Sequence, residues 1–161
     1  MIETGQTLPD ATLMEMTADG PAPVGAGDIF PGRKVVLFGV PGAFTPTCHN
    51  THLPSFVNAM DALRAKGVDE VVCITVNDPF VTGAWGEASG AAKAGVRILA
   101  DPAGAFVKAM GVDFSADVVG LIGRSRRFAA YVDDNTVRVL TVEDNPGEAS
   151  ATSAEALMAN M

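Results

Sequence analysis

The chain reads as an α/β domain, a central mixed β-sheet flanked by helices, and three observations carry that reading. From Lys34 onward, short β-branched runs without charge alternate with stretches of helical periodicity. Two of the intervening turns hold Asp-Pro, an N-cap residue followed by proline at the first helical position. Late in the chain, two strand-like runs flank Asp134-Asn135, a hairpin turn, so an antiparallel pair should join a mainly parallel sheet.

The elements follow in order. The first thirty residues carry turn signals (Gly20-Pro21, Pro23, Gly25) and weak periodicity, which predicts short strands or hairpins laid against the domain as an N-terminal β extension. Val35 to Val40 is a buried strand. After a turn-rich loop, Leu53, Phe56, Val57, Met60 and Leu63 recur at helical spacing up to the stop at Gly67, and Pro54 should kink that helix. Glu70 to Val76 and Val96 to Ala100 are two further strands, followed by helix starts at Asp78-Pro79 and Asp101-Pro102. Strands over Arg127 to Asp133 and Val137 to Val142 come next. Thr152 with Glu155 fits a capping box that opens a closing helix. With no internal repeat and no linker, residues 1–161 are expected to form one domain.

Composition narrows the function. The chain is 48% hydrophobic and 19% charged, with a formal net charge of −8, which argues against nucleic acid or an anionic membrane as partner. The acidic excess in Asp133-Asp134 and Glu143-Asp144 reads as a solubilising surface. The N-terminus lacks the marks of a signal peptide, and no apolar run approaches the roughly 20 residues needed to span a bilayer. Two cysteines in unlike surroundings form no disulfide framework, so the cytoplasm is the expected location.

The chemistry centres on Pro41-Gly42-Ala43-Phe44-Thr45-Pro46-Thr47-Cys48, which delivers a thiol from the end of a strand to the first turn of a helix. There the unpaired backbone N–H groups and the positive end of the dipole favour thiolate, the nucleophilic form. Thr45 is close enough for its hydroxyl to bond the sulfur or a substrate oxygen, and it can also cap the helix. Pro41 and Pro46 stiffen the loop and remove two N–H groups. Cys48, His49 and His52 could serve as zinc ligands, although no fourth ligand is apparent, and His52 could act as base in a cysteine hydrolase. Both histidines are otherwise expected to be solvated or hydrogen-bonded at the surface. One arginine of the cluster Arg124-Ser125-Arg126-Arg127 could reach Cys48 and stabilise its thiolate, but spacing does not say which. Cys73, inside Val71-Val72-Cys73-Ile74-Thr75-Val76, reads as a packed strand thiol.

The run from Val40 to Pro54 resembles the active-site signature of the peroxiredoxins, in the form found in the peroxiredoxin-5 subfamily with its plant type II and bacterial glutaredoxin-dependent members. The resemblance continues through Val76–Trp85, Ile98–Phe106, Arg124–Phe128 and Val139–Glu143. It implies a thioredoxin-like fold and an antioxidant thiol peroxidase with no metal or other cofactor. It also implies that Cys48 is the peroxidatic cysteine, that Pro41 and Thr45 shield and hydrogen-bond it, and that Arg127 is the active-site arginine. Hydroperoxide would oxidise Cys48 to a sulfenic acid. Animal members carry a resolving cysteine near the C-terminus, but the tail from Glu148 to Met161 has none. Cys73 matches a second cysteine of plant-type relatives, for which a resolving role has been proposed. The expected cycle therefore uses one cysteine, with glutathione and glutaredoxin, or thioredoxin, as reductant, in a homodimer. A redox-sensing or chaperone-like protein of the same fold is the non-enzymatic alternative.

Overall fold

The N-terminal turn signals resolve into a hairpin of β1 (Thr12–Thr17) and β2 (Gly20–Gly25) in the computed structural model, which describes residues 1–161. The alternating body follows as β3 (Lys34–Val40), α1 (Leu53–Ala65), β4 (Glu70–Thr75), α2 (Pro79–Ala88), α3 (Ala91–Ala94) and β5 (Val96–Ala100). Next come α4 (Ala105–Met110) and a second hairpin, β6 (Asp113–Ala116) and β7 (Leu121–Ser125). The chain closes with β8 (Phe128–Asp133), β9 (Thr136–Val142) and α5 (Ala154–Ala159).

Seven strands form one sheet in the order β2-β1-β5-β4-β3-β8-β9, while β6 and β7 pair apart from it. β3, β4 and β5 are mutually parallel, and β8 runs antiparallel to β3. This is the expected mixed sheet flanked by helices, the thioredoxin-like arrangement. The apolar runs are continuous because both faces are covered. Along β3, Val35 and Leu37 join a core with Leu8, Phe30, Phe106 and Met110, contributed by the N-terminal segment and α4. Val36, Phe38 and Val40 point the other way, into a second core with Phe56 and Leu63 of α1, Trp85 of α2 and Leu157 of α5. The late turn is built as anticipated. Asp134 and Asn135 both have positive φ, 48° and 60°, the combination a two-residue type I′ hairpin requires.

Several local expectations change. The N-terminal segment belongs to the sheet, with β1 meeting β5 at Met14 and Ala100. Before reaching β1 it runs along the opposite edge, where the N–H groups of Gly5 and Leu8 donate to the carbonyls of Val137 and Asn135 at 2.8 and 3.0 Å. Both edges of the sheet body are thereby occupied. The β6–β7 hairpin was not anticipated, because its pairing is short and irregular and Gly120 and Gly123 interrupt any alternation. Arg124 consequently ends up in β7, and the basic cluster spans the link into β8. Asp101 caps at longer range than Asp-Pro implied, since α4 starts only at Ala105 and the Asp101 carboxylate accepts the Val107 N–H at 3.0 Å. At α5 the cap is Ser153, which accepts the Ala156 N–H at 3.2 Å; Thr152 is buried and bonded elsewhere, so there is no Thr152–Glu155 capping box.

One close approach decides how β3 and β8 meet. Gly39 stands opposite Phe128, and a Cβ on Gly39 would lie 2.1 Å from the Phe128 ring. Phe128 is fully buried and has no open direction in which to move. Gly39→Ala is therefore expected to overpack the core by about 1–3 kcal/mol and lower the thermal midpoint by about 5 °C, measured by calorimetry. An unchanged midpoint would contradict this packing.

Candidate active site

The end of β3 feeds the loop that carries the thiol. Ala43 donates its N–H to Asn77 Oδ1 at 3.0 Å, and the Thr75 hydroxyl donates to the same oxygen at 2.7 Å, so the loop is clipped to the end of β4. Phe44 takes a positive φ of 64°, and the Thr45 hydroxyl donates to the Gly42 carbonyl at 2.7 Å. The Thr45 carbonyl then accepts the His49 N–H at 2.9 Å, and the helical residues begin at Pro46. Cys48 therefore lies in the first turn, as its sequence position predicted. Cys48–His52 is a π-helical turn, closed by the Leu53 N–H on the Cys48 carbonyl, and Pro54 lies in the first turn of regular α1. The irregularity expected from Pro54 is thus the widened turn ahead of it, a form that often accompanies functional sites.

Arg127 is the arginine that reaches the sulfur. It is buried, and its Nη2 donates to Cys48 Sγ at 3.3 Å. Nη2 and Nε also donate to the Pro146 carbonyl at 2.9 and 3.3 Å, and Nη1 lies 3.1 Å from His52 Nδ1. The other two cluster arginines are engaged elsewhere: Arg124 donates to the Pro41 carbonyl and Arg126 to the Glu143 carbonyl, each at 3.2 Å. Of Arg127's direct partners only the sulfur can carry negative charge.

His52 is not at the surface but fully buried. Its Nε2 lies 2.9 Å from the Thr152 carbonyl, which must receive a proton, so Nδ1 is left as the acceptor for Arg127. Burial, then the neighbouring guanidinium, push its pKa down to about 3, against the opposing bond to Thr152. With its Nδ1 lone pair committed to Arg127, the ring is poorly placed to act as base toward Cys48. Both ring nitrogens are used, and His49 Nδ1 accepts the Trp85 indole N–H at 2.9 Å. No group of three or more His, Cys, Asp or Glu side chains is arranged to hold a metal ion. Glu143, expected in a solvated acidic run, is buried, and its Oε1 accepts both the N–H and the hydroxyl of Thr152, at 2.9 and 3.1 Å.

A cavity of about 230 Å³ opens on this cluster, with walls that include Pro41, Thr45, Phe114, Val119, Leu121 and Arg127. Cys48 and Cys73 are both free and fully buried. Cys73 sits in β4 opposite Phe38, and burial, with a further contribution from Cys48, pushes its thiol well above the ordinary range. The structure thus brings Arg127 into direct contact with both Cys48 and His52, with Thr45 in the turn that opens their helix and Pro41 in the cavity wall. Pro146 was not singled out by the sequence, and Glu143, Thr152 and Trp85 were, but in other roles. For Pro146 the only signal was the turn-forming Pro146-Gly147, which concerns backbone shape.

Two expectations follow. His52 binds a proton more weakly folded than unfolded, so between about pH 6.5 and pH 3 the unfolded chain holds more protons and stability falls as pH falls. Urea unfolding should show this as a slope of up to about 1.4 kcal/mol per pH unit below pH 6.5, largely absent in His52→Gln. An equal slope in the variant would refute the assignment. For Cys73, iodoacetamide at pH 8 should leave it unmodified in native Cys48→Ser and label it fully in urea, read by mass spectrometry.

Comparison with known proteins matches this arrangement to one family. The Redoxin family model matches residues 3–158. Peroxiredoxin-2E-2, chloroplastic, of Oryza sativa subsp. japonica is 45% identical over 98% of this chain and 71% of its own. Peroxiredoxin-2C of the same organism is 42% identical over 98% of this chain and 96% of its own. Among solved structures, reduced Prx3 in complex with hydrogen peroxide from Vibrio vulnificus superposes with a TM-score of 0.90 at 44% identity, covering 99% of this chain and 98% of that one. These relatives are consistent with the type II and peroxiredoxin-5 group that the Cys48 motif resembles. With a Redoxin match across nearly its whole length and peroxiredoxin relatives at this identity, the chain belongs to the Redoxin family and is a peroxiredoxin, a thiol-dependent peroxidase.

Proposed function

We propose that Cys48 is the peroxide-reactive cysteine and that Arg127, Thr45 and Pro41 complete its site. The single observation that carries this is the 3.3 Å bond from a buried Arg127 to Cys48 Sγ, from a guanidinium that Pro146 and His52 also bind. The thiolate attacks the terminal oxygen of a hydroperoxide. An S–O bond forms as the O–O bond breaks, the sulfur is oxidised to a sulfenic acid, and the departing oxygen takes up a proton to leave as water or alcohol. Arg127 stabilises charge as it moves along the O–O bond. Thr45 commits its own proton to the Gly42 carbonyl, so it offers lone pairs to the peroxide O–H. Pro41 contributes a wall with no N–H, which helps keep the site dry. The apolar side chains of Phe114, Val119 and Leu121 leave room for the carbon skeleton of an organic hydroperoxide as well as for hydrogen peroxide.

Recycling uses an external thiol. Glutathione displaces water from the sulfenic acid to give a mixed disulfide, which glutaredoxin then reduces; thioredoxin is the second choice of reductant. Burial of Cys73 within β4 supports a one-cysteine cycle. The chain works as a homodimer, for which Phe44 and Phe80, 51% and 66% exposed, offer apolar surface near the site loop. Its two free thiols suit a reducing compartment such as the cytoplasm.

The test is consumption of hydroperoxide by wild type, Cys48→Ser and Cys73→Ser, with glutathione and glutaredoxin supplied, then with thioredoxin. Activity is expected to vanish in Cys48→Ser and persist in Cys73→Ser. Loss in Cys73→Ser, together with a disulfide between positions 48 and 73 in oxidised wild type, would overturn the one-cysteine cycle. Oxidation of Cys48 without turnover under either reductant would favour the sensor reading.

A further inference from the structure

We propose that Glu143 is a positioning residue for Arg127, acting through Thr152 and His52. This rests on the reading of Cys48 and Arg127 given above. Glu143 is only 6% exposed, and a buried carboxylate is costly unless its hydrogen bonds are made. One of its oxygens accepts both donors of Thr152, the N–H at 2.9 Å and the hydroxyl at 3.1 Å. With those two groups held, the Thr152 carbonyl faces His52 Nε2 at 2.9 Å and selects the tautomer whose Nδ1 accepts from Arg127 Nη1 at 3.1 Å. That bond turns the planar guanidinium so that Nη2 faces Cys48 Sγ.

The backbone of Glu143 also meets the arginine segment directly. Its N–H donates to the Arg127 carbonyl at 2.9 Å, and its carbonyl accepts from Arg126 at 3.2 Å. The main chain of Glu143 thus holds the Arg127 carbonyl, while its carboxylate reaches the guanidinium only through Thr152 and His52. Removing the Glu143 acceptor would leave the buried N–H and hydroxyl of Thr152 without their partner. A leucine at 143 would fill comparable space without the desolvation cost, and the acceptor is what it would lack.

The experiment measures the second-order rate of Cys48 oxidation by hydrogen peroxide in stopped flow, well below each variant's thermal midpoint. Glu143→Leu should slow oxidation about tenfold, while Glu143→Gln, which keeps the acceptor, should stay within about twofold of wild type. In an Arg127→Gln background the Glu143→Leu effect should shrink to less than about twofold, because its route is gone. Nitrogen-15 spectra should show a single Nε2–H tautomer of His52 in wild type and Glu143→Gln, and its loss in Glu143→Leu. Should the leucine variant fail to fold, Glu143→Asp keeps the charge, withdraws the acceptor by one methylene, and should show the same slowing and coupling. A lowered midpoint with unchanged rate, or equal slowing in both arginine backgrounds, would overturn the proposal. If Arg127→Gln itself keeps the wild-type rate, the reading of the site fails; if it loses rate while Glu143→Leu does not, only the role of Glu143 falls.

Discussion

A buried guanidinium organises this molecule. Arg127 cannot shed its proton, and burying it demands an acceptor for each face of its fork. The Pro146 carbonyl takes two of its bonds, His52 a third and Cys48 a fourth. The acceptors come from two distant segments, so satisfying one side chain ties the helix after β3 and the segment between β9 and α5 to the start of β8. The one partner able to become an anion is the thiol, so the buried positive charge faces the sulfur. Structural and chemical requirements therefore point the same way.

The sheet makes that meeting possible. β3 lies between β4 and β8, and it ends at the loop that places Cys48, while β8 begins one residue after Arg127. Antiparallel pairing of β3 with β8 sets the C-terminal end of one strand beside the N-terminal end of the other. The cysteine and the arginine, 79 positions apart in sequence, are brought together by that register and by the loop clipped at the end of β3. Gly39 opposite Phe128 marks how closely the two strands must approach just before the site.

Features set by local sequence were the legible ones. The apolar runs of β3, β4 and β5, the Asp134-Asn135 turn and the thiol at a helix start each depend on a few adjacent residues and on backbone preferences that act over one turn. What could not be read has partners far away. His52 looked like a surface histidine because its neighbours His49, Asn50 and Thr51 are polar, yet its partners are Arg127 and Thr152, 75 and 100 residues on. Glu143 looked like part of an acidic surface beside Asp144, yet it satisfies Thr152 from the interior. Thr152 matched a capping box by spacing, but the buried acceptor outcompeted the local one and left the cap to Ser153. Which of three arginines faces the sulfur was likewise a question of strand register.

The central claim is that Arg127 acts as an oriented fork and not as a charge alone. Arg127→Lys keeps the charge while losing the planar geometry that engages Pro146, His52 and Cys48 together. The direct measurement is the second-order rate of Cys48 oxidation by hydrogen peroxide in that variant, compared with wild type under conditions where both are folded. The account predicts a loss of about a hundredfold or more. A rate within a few-fold of wild type would mean that charge alone suffices and that the fork geometry is not what drives the chemistry.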